Sequence, residues 1–84
     1  MTDQNTLTNI VNAPIVKRSV KIAGHPTSVS IEEPFWHAFK VIAEKEERSI
    51  NDLVSEIDEA RSVNLSSAIR LYVLDKAFIA SASK

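Results

Sequence analysis

The stretch Thr27-Ser28-Val29-Ser30-Ile31 constrains this chain more than any other. Polar and apolar residues alternate along it, so on an extended backbone Val29 and Ile31 face one way while Ser28 and Ser30 face the other. Two segments with helical spacing follow at once, over roughly residues 34–46 and 49–61. A lone exposed strand in front of two amphipathic helices leaves a sheet edge unsatisfied. The same strand of a second chain would satisfy it. The expected fold is therefore mainly α with one short β-strand, assembled as a homodimer around an antiparallel ribbon shared between subunits, with a further C-terminal helix.

Size points the same way. With 84 residues the chain makes one domain, and it has no cysteine to staple a small core. Hydrophobic residues make up 44%, which is enough for a folded core and excludes a fully disordered tail. The longest apolar runs are only a few residues, so no membrane span is expected. Residues 1–12 lack both a basic cluster and an apolar run, so they do not read as a signal peptide. A cytoplasmic location is the expectation.

The net charge of −1 conceals a polarised chain. Between Lys17 and Ile31 stand Lys17, Arg18, Lys21 and His25, with no acid among them. From Glu32 to Arg61 there are nine acids against four Lys and Arg. A polyanion such as DNA would have to meet the basic front.

Taken in order, residues 1–14 mix Thr, Asn, Gln and Asp, end at Pro14, and are expected to form a flexible arm. Ile15 to Ile22 is β-branched and partly alternating, which suits a short strand or an extended arm. Ala23-Gly24-His25-Pro26 breaks it. Whether the two runs fold back as a hairpin is open on sequence, and the balance leans slightly against it. The first helix begins near Pro34, with Phe35, Phe39, Ile42 and Ala43 on one stripe and Trp36 beside it, all read as core.

Ser49 is the expected N-cap of the second helix, whose Ile50, Leu53, Val54, Ile57 and Ala60 keep a 3–4 spacing. Its polar face carries Asp52, Glu56, Asp58 and Glu59, so phosphate would repel it from a major groove. Asn64 is expected to cap a third helix over roughly residues 65–80. One side of it presents Ala68, Ile69, Tyr72, Val73 and Ala77, another Leu71, Leu74 and Phe78, so it needs two partners. The domain is thus expected over residues 15–80, with a frayed tail at 81–84.

No catalytic grouping is visible. His25 and His37 lie in different elements, Glu33 and His37 make two metal ligands at most, and no glycine-rich phosphate loop is present. The expectation is a non-enzyme without metal or cofactor. The start of the second helix is the more suggestive spot. Free N–H groups around Arg48, Ser49 and Asn51, with the Ser49 hydroxyl and the Arg48 charge, suit an anion as well as they suit a plain cap. Ser28 and Ser30 hydroxyls could donate to or accept from either kind of base pair.

The run TSVSIEEPFWHAFKVIAEKEERSINDLV resembles the ribbon-helix-helix superfamily. More narrowly, KRSVKIAGHPTSVSIEEPFW, ERSINDLVSEID and NLSSAIRLYVL are similar to short bacterial proteins carrying such a domain. The resemblance implies a dimer whose paired strands enter the major groove of double-stranded DNA and read bases with outward side chains, here Ser28 and Ser30 preceded by Pro26 or His25. It also implies a phosphate grip at Arg48, Ser49 and Asn51, while Lys17, Arg18 and Lys21 supply cations nearby. Two positions depart from the pattern: Pro26 stands where a basic residue is usual, and Glu47 where a glycine is usual. The functional expectation is a small dimeric transcriptional regulator. The alternative is a protein-interaction module or antitoxin-type protein whose acidic helices bind a protein partner.

Overall fold

The fold starts from a β-hairpin closed within one chain. In a computed structural model, which describes residues 11–82, β1 (Ile15–Ile22) pairs antiparallel with β2 (His25–Glu32). Three helices follow: α1 (Glu33–Lys45), α2 (Ile50–Ala60) and α3 (Leu65–Ala82). Most of the arm expected over residues 1–14 and the end of the tail expected over 81–84 lie outside the described residues.

The hairpin corrects the lean of the sequence reading. Its register runs from Ile22 opposite His25 to Ile15 opposite Glu32, leaving only Ala23 and Gly24 in the turn. Both turn residues have positive φ, 50° and 84°, as a type I′ turn requires. Gly24 adopts that backbone freely, whereas Ala23 is strained there. An Ala-Gly pair lacks the Asn-Gly or Asp-Gly signature of such turns, so the sequence hid it. The strand expected over 27–31 lies within the eight-residue strand β2, and residues 15–22 are its partner. Within the chain, β2 has β1 as its hydrogen-bonded neighbour.

Strand alternation sorts the hairpin into two faces. Val20, Val29 and Ile31 are buried against the helices, and Ile22 packs beside them. Pro34 occupies the first turn of α1, where its missing N–H costs nothing. The Glu33 N–H reaches back to the Pro14 carbonyl at 3.1 Å, which ties the start of the hairpin to the start of the helix. Trp36, Phe39 and Ala43 form the buried stripe of α1. Phe39 is the hub: its ring lies 5.9 Å from Trp36 and meets Tyr72 edge-on at 6.2 Å.

The second helix is capped as expected. Ser49 Oγ accepts the Asp52 N–H at 3.0 Å, and Leu53, Val54 and Ile57 are buried. Asn64 Oδ1 likewise accepts the Ser67 N–H at 2.9 Å to open α3, which brings Ala68, Ile69 and Val73 into the core. Phe39, Ile31, Leu53, Ile69 and Val54 are the largest fully buried side chains, so every element except β1 supplies one. Each contributes about 1.5–3 kcal/mol by leaving water. Leu71, Leu74 and Phe78 stay exposed along the other side of α3, at 57%, 55% and 70%.

Candidate nucleic-acid interface

The exposed face of the hairpin is built by register. Lys17 stands opposite Ser30, Ser19 opposite Ser28 and Lys21 opposite Pro26, and all six are exposed. Lys17, Lys21, Ser28 and Ser30, picked out from sequence, therefore share one surface with no acid between Lys17 and Ile31. The first acid beyond them, Glu32, is engaged elsewhere. Its Oε1 accepts from Arg70 Nε at 2.7 Å, and that hydrogen bond holds its carboxyl below the ordinary value. The same face forms a shallow depression at the hairpin tip, lined by Ser19, Lys21, Pro26, Thr27 and Asn51.

Two of the expected contacts lie off this face. Arg18 alternates with Val16 and Val20 toward the helices, where its Nη2 donates to both Glu33 carboxylate oxygens at 2.6 Å. Its Cζ sits 5.7 Å from the Trp36 ring centroid, and its Nε is buried without a hydrogen-bond partner. Arg18 is a packing cation here. His25 is exposed beside the turn, opposite Ile22, and belongs by alternation to the other face.

The start of α2 sits against the outer edge of β1. Asn51 Oδ1 accepts the Lys21 N–H at 2.9 Å, and Ser55 Oγ accepts the Ala23 N–H at 3.2 Å. Asn51 thus carries the helix start to the rim of the lysine–serine face. The N–H groups of Ile50 and Asn51 have no partner within the helix and carry its positive dipole end. Arg48 pairs with Glu56, whose hydrogen bond raises the guanidinium pKa further and offsets its charge toward any outside anion. Glu47 takes a φ of 54°, a backbone conformation that favours glycine.

Ser19, which charge and motif do not single out in the sequence, lies on the same face opposite Ser28. The signal was available, since alternation puts it between Lys17 and Lys21 and apart from Arg18. Only the pairing of β1 with β2 brings it beside Ser28. Among the described residues no group of three or more His, Cys, Asp or Glu could hold a metal, and no helix is long and apolar enough to cross a membrane.

Neither a curated protein nor a solved structure matches the chain. The profile of a family described as a ribbon-helix-helix domain matches residues 15–77, from the first residue of β1 deep into α3. Domains of this kind are generally DNA-binding regulators and generally bind DNA as dimers. A two-stranded antiparallel ribbon followed by helices around a shared core, matched over most of its length, places this chain in the ribbon-helix-helix domain family.

Proposed function

We propose that this protein is a sequence-specific binder of double-stranded DNA, a small homodimeric transcriptional regulator that lays its ribbon in the major groove. The observation that carries this reading is the face formed by Lys17, Ser19, Lys21, Ser28 and Ser30, exposed and free of acids. A two-stranded ribbon has the width of a major groove, and serine hydroxyls at its centre meet base edges there. Lysines supply the phosphate attraction that dominates affinity. Asn51, Ser49 and the open N–H groups of α2 flank the ribbon where a phosphate would pass. The acidic outer face of α2 points to the ribbon rather than this helix as the reading element. A mobility shift with the protein's own upstream DNA, titrated with salt, tests the reading. Retarded complexes that dissolve steeply as salt rises are expected, and no retardation at low salt would refute it.

A second observation favours a protein contact as well. The Leu71, Leu74 and Phe78 face of α3 is apolar and exposed, and the occupant we assign is a second copy of this chain. A chain of 84 residues buries little surface alone, and domains of this family generally act as dimers. The competing reading is an antitoxin-type module that presents this face to a different protein. Co-purification of one unrelated protein at high salt, with no retention on duplex DNA at low salt, would favour that alternative.

A further inference from the structure

The two strands of the ribbon come from one chain and are not alike. In a ribbon made from the same strand of two subunits, identical side chains face the groove from both sides, and the bases beneath must be palindromic. Here the cross-strand pairs on the exposed face are Lys17 with Ser30, Ser19 with Ser28, and Lys21 with Pro26. Only the central pair is self-matching. Both cations lie on β1 and neither on β2, so the ribbon has a charged side and a neutral side.

The outer edges of the hairpin are also taken in part. On β1, Asn51 accepts the Lys21 N–H and Ser55 accepts the Ala23 N–H. On β2, Ser66 Oγ donates to the Ser30 carbonyl at 2.9 Å, and Pro26 has no N–H to offer. A strand from a second chain would have to displace Ser66 and accept a gap at Pro26. Lys21 and Ser30 bond outward, away from the paired strand. By antiparallel alternation, Ser19 and Ser28 then face each other at a non-hydrogen-bonded position, where opposed side chains are closest.

We propose that the hairpin of a single chain is a complete, asymmetric reading ribbon, and that Ser19 is a base-contacting, specificity-determining residue on the same footing as Ser28. Each chain then reads a non-palindromic half-site. Two-fold symmetry relates the two half-sites of a dimer and not the bases under one ribbon. This rests on the DNA-binding reading above.

The test is selection of preferred sequences from a random duplex pool by the full chain, wild type against Ser19→Ala, Ser28→Ala and Ser19→Thr, each first checked for an unchanged unfolding midpoint. An asymmetric half-site is expected from the wild type. Ser19→Ala should lose base preference by about tenfold at one position, Ser28→Ala at a different neighbouring position, and Ser19→Thr should keep part of the preference. Binding to unselected DNA, carried mainly by phosphate contacts, should fall less than binding to the selected site in all three. If Ser19→Ala keeps the wild-type preferences while Ser28→Ala loses two positions related by a palindrome, the ribbon is made by two β2 strands and the proposal is overturned. If the wild type enriches no sequence and retards no duplex, the DNA-binding reading itself fails and takes this proposal with it.

Discussion

Arg18 lies over the face of Trp36, with Cζ 5.7 Å from the ring centroid, while its Nη2 grips the Glu33 carboxylate at 2.6 Å. Charge alone would send this arginine to DNA. The strand parity that buries Val20 and Val29 sends it to the core instead.

Replacing Arg18 with Ala should therefore lower stability and leave electrostatic binding alone. A cation over an aromatic face contributes about 0.5–1 kcal/mol, and a half-exposed ion pair roughly 0.2–1 kcal/mol. A loss of about 1 kcal/mol in urea unfolding is expected, with the salt dependence of DNA binding unchanged. Lysine at this position should recover little, because a point charge reproduces neither the stacking nor the double hydrogen bond.

Glu47 and Ala23 both occupy backbone with positive φ, at 54° and 50°. The left-handed region costs a residue with a Cβ about 1–2 kcal/mol, partly offset by the greater unfolded-state freedom of glycine. Glu47→Gly should therefore stabilise the fold by several tenths to about 1 kcal/mol. It also removes an acid beside the start of α2, so DNA affinity at low salt should rise. Ala23→Asn should stabilise the type I′ turn without touching the reading face. Thermal unfolding and a low-salt titration measure both effects.

Glu32 and Glu46 fasten α3 to the rest of the fold. Hydrogen bonds from Arg70 and Lys76 lead in depressing their carboxyl pKa values below the ordinary 4.5. Stability held by such groups is complete above 4.5 and is lost as pH falls through the depressed folded value. Tyr72 moves the other way: burial first, then its bond to Glu46, raises its phenol pKa above 10.0, so its contribution is lost as pH climbs past 10.0. Unfolding midpoints should fall at both ends of the pH range. In the double variant Glu32→Gln and Glu46→Gln the acid-side fall should be shallower.

Leu71, Leu74 and Phe78 carry the expectation of a dimer. Leu74→Glu should shift sedimentation from dimer toward monomer at micromolar concentration. Its exposure of 55% means that the unfolding free energy of the monomer should change little.

Much of this fold was legible because amphipathic periodicity survives without tertiary knowledge. Phe39, Leu53, Val54, Ile57 and Ile69 announce their burial by spacing, and Ser49 and Asn64 announce the helix starts by chemistry. The hairpin was not legible, because its turn places an alanine where asparagine or glycine usually marks the backbone. The site suffered in consequence. Charge alone groups Lys17, Arg18 and Lys21, whereas alternation on the paired strand separates Arg18 from the two lysines and adds Ser19 to them. Arg48 likewise looks like free charge in the sequence, because its partner Glu56 lies two turns along α2.

Lys17 and Lys21 are the cations proposed to meet DNA, and Arg18 between them is not. Fluorescence anisotropy of a labelled duplex, titrated at several salt concentrations, separates the two roles with wild type, the Lys17→Ala and Lys21→Ala double variant, and Arg18→Ala. The slope of log affinity against log salt should shrink by about two for the lysine pair, one for each phosphate left unneutralised, and stay put for Arg18→Ala. A wild-type slope in the folded lysine variant, or a slope lowered only by Arg18→Ala, would remove this face of the hairpin from the DNA interface.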